Sequence, residues 1–355
     1  MNINLFKNKK ILITGCTGFT GGWMILYFKL LKAQIIGYSK KPPFSNSMFT
    51  KYNLKKKIRF IKGDVQNFHK LRKTFNKYKP DFIFHLAADS IVSKCYENPR
   101  NAYLNNSIGI ANLLEVIRQY KINKKLSINI ITTDKVYKNN NNKKLFKEQD
   151  DLGNDDAYSS SKTCGEYICS TYFNSYFIKK KISMNILRSG NIIGGGDWSE
   201  KRLIPDIIRS VKNKKILEIR NPNFIRPWQH IFDVINAYAK IALIQYKKNK
   251  NQMNAWNIGP KNSNYLKVKD IVKIFFNKFY KETGKRKKIH FTKKNSYEKK
   301  YLFLNSSKLE KKLKIKNKFN ISQTLKNTLD WYLKDIKKQA DINFSYFQLR
   351  KYLNY

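Results

Sequence analysis

The sequence predicts an α/β protein built on a doubly wound parallel sheet, followed by a smaller C-terminal α/β region. Its 355 residues are enough for one large domain or two ordinary ones with a sizeable core. Through the first half, short apolar runs alternate with longer amphipathic stretches, as strands alternate with helices in parallel sheets. The apolar runs are continuous rather than alternating, which is typical of strands covered on both faces.

The predicted elements follow one another as strand, helix, strand. We expect strands over residues 10–14, 34–38, 58–61, 81–86, 127–132, 184–188 and 255–259, and helices over 20–31, 66–78, about 100–120 and 156–177. After about Asn191 the segments become irregular, and the Lys-rich chain from about Lys281 is predicted to carry short helices and a small strand or two. These changes divide the chain into two units. The first domain is predicted to comprise residues 1–190 and about 230–282, and the second region residues 191–229 and 283–355.

The charge balance is strongly basic, with 72 Lys and Arg against 24 Asp and Glu and a formal net charge of +48. Such a balance raises nucleic acid as a partner. However, only 11 of the 72 are Arg, the residue preferred for bidentate phosphate contacts, and the lysines are spread along the whole chain. We therefore expect no specific nucleic-acid function and attribute the excess to compositional drift. A basic nucleic-acid-binding protein on the same scaffold is the alternative from a different class.

The rest of the composition indicates a cytoplasmic protein without a membrane span. The four cysteines show no CxxC or Cys/His cluster, which is typical of free thiols in a reducing compartment and predicts no metal site. No apolar run approaches the ~20 residues of a membrane span. The N-terminus has no signal-peptide pattern.

A glycine-rich turn follows the first predicted strand and opens the first predicted helix. The run TGCTGFTG (14–21) places small residues where a backbone approaches a pyrophosphate, and the helix N-terminus supplies N–H donors. In this strand–turn–helix context the run predicts a Rossmann-like dinucleotide site, the alternative being a glycine turn without a ligand.

Many NAD-binding folds place an acidic residue after the second strand, and this chain does not. That strand ends in Ser39-Lys40-Lys41, which leaves both NAD and NADP open, although two lysines carry little weight in so basic a chain. Asp64, after the third strand, is either a partner of the adenine amino group or a helix N-cap.

Tyr158 and Lys162 form a second pattern. A spacing of four places both side chains on one helical face. Because a neighbouring ammonium favours the phenolate and lowers a tyrosine pKa by ~1–3 units, Tyr158 is expected to act as a base near neutral pH. YxxxK also occurs by chance in a Lys-rich chain, so the strand-end cluster of Thr132 to Lys135 adds weight to the prediction.

These motifs resemble the CDP-glucose 4,6-dehydratase family of the extended short-chain dehydrogenase/reductase superfamily. The resemblance runs from about Lys10 to Pro260 and is weak in the Lys-rich tail. The matching segments are TDKVY (133–137), YSSSK (158–162), RSGNIIGGGDW (188–198), RLIPD (202–206), RNP (220–222), RPWQH (226–230), HLAA (85–88), YENP (96–99) and AWN (255–257). GGGDW followed by RPWQH is far more specific than the glycine-rich turn.

The resemblance implies an NAD-dependent lyase that converts CDP-D-glucose to CDP-4-dehydro-6-deoxy-D-glucose and water, a precursor of deoxy sugars in bacterial surface polysaccharides. Tyr158, helped by Lys162 and Thr133, would remove the proton of the sugar 4-hydroxyl while hydride passes from C4 to NAD+. Asp134 would protonate the leaving 6-hydroxyl, and the hydride would return to C6.

Lys135 stands where relatives acting on dTDP-glucose carry the Glu that removes the C5 proton. A lysine serves as that base only if burial or a cation such as Lys162 destabilises its ammonium. Otherwise it stabilises the enolate electrostatically. The structural alternative for Asp134 and Lys135 is a solvated pair at a strand end.

The resemblance also implies that the first domain binds NAD and the second region binds the nucleotide sugar. Cofactor contacts are expected at Gly15, Thr17, Gly18, Phe19, Gly21, Asp64, Val65, Leu86, Ala87, Ala88, Asn106, Tyr158 and Lys162. Substrate contacts are expected at Asn191, Arg202, Arg220, Arg226 and His230. Arg220 and Arg226 are the candidates for clamping the diphosphate, although a structural role stays open for the arginines and for His230.

The chain departs from the family pattern near the expected sugar site. Asp89 and Ser93 stand where the family has Gln and Arg, and an Asn-rich run (139–144) replaces a tryptophan-containing loop. Another NDP-hexose or a 4-epimerase reaction is therefore open. The Thr133-Asp134-Lys135 cluster argues against the epimerase, which has no leaving hydroxyl to protonate. A homodimer or higher homo-oligomer is expected through the helix that carries Tyr158.

Overall fold

A computed structural model describes residues 3–213, 216–248, 251–260, 264–285, 288–292 and 298–355 of the chain. The strands are β1 (Lys10–Thr14), β2 (Gln34–Ser39), β3 (Arg59–Lys62), β4 (Phe82–His85), β5 (Leu126–Thr133), β6 (Ile182–Ser189), β7 (Ile192–Ile193), β8 (Leu217–Arg220), β9 (Ile225–Pro227), β10 (Gln229–His230), β11 (Gln252–Ile258), β12 (Tyr265–Lys267) and β13 (Ile289–Thr292). The helices are α1 (Phe19–Leu30), α2 (Met48–Lys51), α3 (Phe68–Tyr78), α4 (Val92–Glu97), α5 (Pro99–Tyr103), α6 (Gly109–Gln119), α7 (Ala157–Tyr172), α8 (Leu203–Lys212), α9 (Ile231–Lys248), α10 (Val268–Thr283), α11 (Ser307–Leu313), α12 (Ile321–Ile336) and α13 (Ile342–Leu353).

Seven strands form one parallel sheet in the order β11–β6–β5–β4–β1–β2–β3. The chain switches direction across the sheet between β1 and β4, where a doubly wound sheet opens a crevice at the carboxyl ends of its strands. Smaller pairings join β7 with β10, β9 with β12, and β8 with β13. The predicted α/β fold with a doubly wound parallel sheet is confirmed.

Helices cover both faces of the sheet. Ile11 and Ile13 of β1 pack in the cluster that contains α1 and α9, whereas Leu12 packs in the cluster that contains α6 and α7. Burial on both faces explains why the strand reads as a continuous apolar run. None of the helices in the described ranges is both long and apolar enough to cross a membrane.

The predicted strands end within three residues of the observed ones, but two long helices differ. The predicted helix over about 100–120 is divided into α5, a π turn at Leu104–Ile108, and α6. The predicted helix over 156–177 ends as a π turn at Phe173–Phe177. The first π turn carries Asn105 and Asn106, whose amides both bond to Asp89, so the interruption serves a contact that helical periodicity does not reveal.

The Lys-rich tail is more regular than predicted. It contains a predicted small strand, β13, and one short helix, α11, but α12 has 16 residues and α13 has 12. Asn320 opens α12 with a capping box formed with Gln323. Trp331 is fully buried against Gly195, where a Cβ would lie 2.1 Å from the Trp331 Cγ. The tail therefore packs its apolar residues on the 188–198 segment, a long-range contact that its lysine content obscures.

A buried ion pair joins several of these elements beside the carboxyl end of the sheet. Arg188 on β6 and Glu166 on α7 have side chains that are each 4% exposed, and Arg188 Nη2 lies 2.5 Å from Glu166 Oε2. Thr132 on β5 donates a hydrogen bond to Glu166 Oε1 at 2.7 Å. Arg188 Nη1 donates to the Tyr137 hydroxyl at 2.8 Å. The pair thus connects β5, β6, α7 and the chain after β5.

Glu166→Gln is expected to lower the free energy of unfolding by about 3–5 kcal/mol, because it leaves the Arg188 guanidinium buried without its counter-charge. Denaturant unfolding followed by circular dichroism measures the loss. As the matched control, Asp330→Asn removes the exposed Lys326–Asp330 pair on α12 and is expected to cost less than about 1 kcal/mol. Equal losses in the two variants would contradict a special role for the buried pair.

Candidate functional site

A cleft of 810 Å³ opens at the carboxyl ends of β1, β4, β5 and β6. It lies where the strand order reverses, the position at which doubly wound sheets bind ligands. One wall consists of the turns that follow the strands, and the other consists of residues between Ser189 and Trp228. The cleft therefore brings the two predicted regions of the chain to one site.

Most of the residues predicted from the sequence line this cleft. They are Gly15, Thr17, Gly18, Phe19, Gly21, Asp64, Val65, Leu86, Ala87, Ala88, Thr133, Asp134, Lys135, Tyr158, Lys162, Asn191, Arg202, Arg220 and Arg226. Asn106 and His230 do not line it. Residues distant in sequence thus meet on one surface.

The conformation of the turn after β1 requires glycine at two positions. Gly15 has φ +67°, and a Cβ there would lie 2.7 Å from the Ala87 N. A Cβ on Gly21 would lie 2.6 Å from the Gly15 O. The turn therefore packs directly on α1 and on the chain after β4, and it presents backbone to the cleft. This cradle at the start of a 12-residue helix fits a pyrophosphate.

A lysine after β2 is paired with an aspartate after β3. Thr17 Oγ1 and Ser39 Oγ lie 2.8 Å apart, and Lys40 Nζ lies 2.8 Å from Asp64 Oδ2. Asn67, not Asp64, caps α3, because its Oδ1 accepts from the first-turn amide at 2.9 Å. The N-cap interpretation of Asp64 is wrong, since the helix begins later than the sequence pattern indicated.

Asp134 is a buried carboxyl at the end of β5. It is 5% exposed, and Thr133 Oγ1 donates to its Oδ1 at 3.0 Å. Its Oδ2 has no hydrogen-bond partner among the described residues. Burial raises the pKa of Asp134 above its ordinary value, against the opposing effect of Lys135. Such surroundings favour the protonated carboxyl, which is able to donate a proton into the cleft.

The Lys162 ammonium does not lower the pKa of Tyr158 as the sequence pattern predicted. Lys162 Nζ donates to the Ile131 carbonyl at 2.7 Å. Burial lowers the pKa of Lys162 to about 8 and raises the pKa of Tyr158 to about 12. The prediction of a lowered Tyr158 pKa is therefore wrong, because burial outweighs the opposing effects of the hydrogen bond with Thr133 and of the Arg202 guanidinium.

Lys135 and Arg226 share one carboxylate. Lys135 Nζ lies 3.3 Å from Glu298 Oε1, and Arg226 Nη2 lies 3.0 Å from Glu298 Oε2. Lys135 Nζ is also 6.0 Å from the centroid of the Tyr158 ring. The interpretation of Asp134 and Lys135 as a solvated pair is wrong, since the first is buried and the second is 16% exposed and paired across the cleft wall.

Glu298 lines the cleft and was not selected from the sequence. It lies in the Lys-rich segment, for which the motifs predict no role. One signal was available, because Glu298 is the only acidic residue between positions 283 and 309. A lone acid among many lysines marks a candidate for a specific pairing, although its partners are not visible in the sequence.

The three arginines expected to contact the substrate have different surroundings. Arg202 is partly exposed and lies 3.3 Å from Asp197 Oδ2, and Arg220 is exposed at the end of β8. Arg226 is 4% exposed and donates to two backbone carbonyls in addition to Glu298. Arg202 and Arg220 are therefore more accessible to a ligand than Arg226.

Asn106 and His230 have structural contacts in place of the predicted ligand contacts. Asn106 bonds with the backbone N and O of Asp89 and with the Ser161 hydroxyl. His230 is 2% exposed, and its Nδ1 accepts from the Phe232 N at 3.2 Å. Burial lowers the pKa of His230 to about 3, so the ring is neutral at physiological pH.

The two departures near the expected sugar site both line the cleft. Asp89 Oδ2 accepts from Asn101 Nδ2 at 2.6 Å and from Asn105 Nδ2 at 2.7 Å. The Ser93 hydroxyl is buried without a partner among the described residues. Asp89 is thus held in place by its neighbours, whereas the Ser93 hydroxyl retains its hydrogen-bonding capacity.

Comparisons with known proteins were made for sequence and for structure. Residues 12–328 match the family model described as GDP-mannose 4,6 dehydratase. The CDP-glucose 4,6-dehydratase of Salmonella typhimurium is 36% identical over 274 residues, which are 76% of each chain. The dTDP-glucose 4,6-dehydratase from Bacillus anthracis, solved in complex with NAD, superposes with a TM-score of 0.76 at 23% identity, covering 93% of this chain and 98% of that one. A UDP-glucuronic acid 4-epimerase from Bacillus cereus, in complex with UDP-glucuronic acid and NAD, has a TM-score of 0.76 at 23% identity, covering 92% and 99%.

The two solved structures share the fold, and the family assignment rests on the sequence matches. The family model spans most of the chain, and the Salmonella relative is similar over three quarters of it. Both are 4,6-dehydratases of nucleotide sugars, so the resemblance found in the sequence is confirmed. The chain belongs to the GDP-mannose 4,6 dehydratase family of nucleotide-sugar dehydratases.

Proposed function

We propose that this protein is a nucleotide-sugar 4,6-dehydratase that converts CDP-D-glucose to CDP-4-dehydro-6-deoxy-D-glucose and water. The observation that carries the reaction type is Asp134, a buried carboxyl with a raised pKa beside Thr133 and Tyr158. Such a group supports protonation of a leaving hydroxyl, which a 4-epimerase does not need. The Salmonella relative supports CDP-glucose as the substrate.

NAD is the proposed cofactor, and the residues of the cleft fit it. The glycine cradle at residues 15–21 supports pyrophosphate binding. The pairing of Lys40 with Asp64 supports NAD over NADP, because that cation is already neutralised and is not free for a 2′-phosphate. When bound, NAD+ accepts a hydride from the sugar C4 and later returns it to C6.

Tyr158 is the proposed base for the 4-hydroxyl proton. Its phenol oxygen takes that proton as C4 is oxidised. Because the pKa of Tyr158 is about 12, the phenolate needs stabilisation by nearby groups. The Thr133 hydroxyl and the Arg202 guanidinium favour the phenolate. Lys162, whose ammonium is protonated below a pH of about 8, is proposed to add to this stabilisation when substrate is bound.

Asp134 is the proposed acid of the elimination. The 4-ketone acidifies the C5 proton, a water molecule in the open cleft accepts that proton, and the C6–O bond breaks. When hydride adds at C6, C5 takes a proton back from solvent. The departing oxygen takes the proton from Asp134 Oδ2 and leaves as water. Since Oδ2 has no partner among the described residues, its proton is not committed to another group. Lys135 is a cation at the same strand end and stabilises the enolate charge.

Arg202 and Arg220 are the proposed ligands of the substrate diphosphate, with Asn191 beside them on the cleft wall. Their exposure supports this role over Arg226, whose guanidinium is buried. Asp89 and Ser93 are proposed to contact the hexose. These residues therefore decide which nucleotide sugar is accepted.

We further propose a cytoplasmic homodimer formed through the face of α7 that carries Tyr167, a tyrosine that is 56% exposed. The four cysteines are free thiols, which supports a reducing compartment. Sedimentation of the purified protein is expected to give twice the chain mass of 42.1 kDa. A monomer at micromolar concentration contradicts the dimer without affecting the reaction.

The substrate proposal is tested by incubating the protein and NAD+ with CDP-, dTDP-, UDP- and GDP-hexoses and analysing products by mass spectrometry. Loss of one water from CDP-glucose is the expected result. Water loss from another sugar alone would contradict the CDP-glucose assignment and direct attention to Asp89 and Ser93. A sugar of unchanged mass and altered configuration would identify an epimerase instead.

Tyr158→Phe is expected to reduce turnover by at least about 10²-fold, because no group remains to take the 4-hydroxyl proton. NAD+ binding, measured by calorimetry, is expected to stay unchanged. Tyr355→Phe removes an exposed hydroxyl that does not line the cleft and serves as the control with wild-type activity. A Tyr158→Phe enzyme with near-normal turnover would exclude Tyr158 as the base.

Asp134→Asn is expected to permit oxidation at C4 and to block loss of the 6-hydroxyl, because an amide has no acidic proton to donate. Reduced cofactor should therefore accumulate on the enzyme, as measured by its absorbance in a single turnover with CDP-glucose. Elimination at the wild-type rate, without accumulation, would show that another group is the acid.

A further inference from the structure

Glu298 links two cations at the wall of the cleft. Its carboxylate lies 3.3 Å from Lys135 Nζ and 3.0 Å from Arg226 Nη2. The Lys135 ammonium, with Arg226, holds the pKa of Glu298 at about 2, so the group is ionised at neutral pH. Lys135 follows β5 and Arg226 lies on β9, whereas Glu298 lies in the segment before α11.

The same two cations act on Asp134. Both favour its ionised form and oppose the burial that raises its pKa. Tyr158 on α7 and Tyr265 on β12 also interact with Asp134. Burial raises the pKa of both tyrosines, so both are neutral at physiological pH. The largest charge effects that oppose the burial of Asp134 therefore come from two cations that share one carboxylate.

We infer that Glu298 is a positioning residue for the elimination: by offsetting part of the positive charge of Lys135 and Arg226, it favours the protonated Asp134 that donates to the leaving hydroxyl. The inference rests on the proposed dehydratase function. In this step the proton passes from Asp134 Oδ2 to O6 as the C6–O bond breaks, water departs, and Asp134 becomes a carboxylate. Without Glu298, two uncompensated cations stabilise that carboxylate before the step.

The pH dependence of elimination tests this role. Elimination requires protonated Asp134, so its rate falls as pH rises through the pKa of that carboxyl. Glu298→Gln removes a negative charge, favours the Asp134 carboxylate and is expected to move this fall to lower pH. Because the Glu298 side chain is 41% exposed and partly screened, we expect a shift of about one pH unit.

The measurement is single-turnover formation of the 6-deoxy product from CDP-glucose and NAD+ across pH, by rapid quench and mass spectrometry. C4 oxidation is followed in parallel through the absorbance of the reduced cofactor. Glu298→Gln is expected to shift the elimination profile and leave the oxidation profile in place. Glu298→Asp, which keeps the charge, is expected to restore at least part of the wild-type profile.

Two further variants distinguish an effect of the Glu298 charge on Asp134 from a loss of folding. Asp155→Asn breaks the adjacent Lys299–Asp155 pair, an exposed contact of 3.2 Å that reaches neither Lys135 nor Arg226, and is expected to leave the profile unmoved. Lys135→Met removes one of the two cations that favour the Asp134 carboxylate. It is therefore expected to move the fall in elimination rate to higher pH. This second variant keeps the inference falsifiable if Glu298→Gln fails to fold.

A uniform loss of rate in Glu298→Gln with no shift, or a Lys135→Met shift to lower pH, would overturn the inference while the dehydratase function stands. Absence of dehydration by the wild-type protein on every nucleotide sugar tested would overturn the proposed function itself.

Discussion

The buried ion pair between Arg188 and Glu166 is the interaction on which the reacting end of the cleft depends. A parallel sheet fixes the positions of its strand ends. It does not fix how far a helix packed on the sheet is shifted along its own axis relative to those ends. Glu166 lies about two turns beyond Tyr158 on α7 and accepts a hydrogen bond from Thr132, the neighbour of Thr133. The pair therefore sets Tyr158 against the end of β5, and its burial makes either charge costly to lose.

Selective burial, rather than the net charge of +48, determines the chemistry of the site. Most lysines are solvated and screened. Three cations near Asp134 and Tyr158 have defined partners, Lys162 with a backbone carbonyl and both Lys135 and Arg226 with Glu298. The same low-dielectric surroundings that make these partners necessary also favour the protonated form of Asp134. A strongly basic chain can thus maintain a neutral carboxylic acid within reach of two cations.

Features that depend on neighbouring residues were predictable from the sequence, and features that depend on distant contacts were not. The sheet, its order of elements and the glycine cradle follow from short patterns. The pairing of Glu298 joins segments more than a hundred residues apart, and the raised pKa of Tyr158 depends on burial that spacing alone does not reveal. His230 belongs to a matching motif, yet its polar atom is used within the core. The N-cap alternative for Asp64 was wrong because α3 begins after Asn67.

CDP-D-glucose deuterated at C4 is the substrate that tests the proposed reaction most directly. Oxidation at C4 and loss of the 6-hydroxyl are proposed to occur on the same sugar within one cleft. Incubation with the protein and NAD+, followed by mass spectrometry and NMR, is expected to place the deuterium at C6 of a 4-keto-6-deoxy product. Deuterium found at C4 of a sugar of unchanged mass, or absent from C6 of the product, would contradict an internal transfer from C4 to C6.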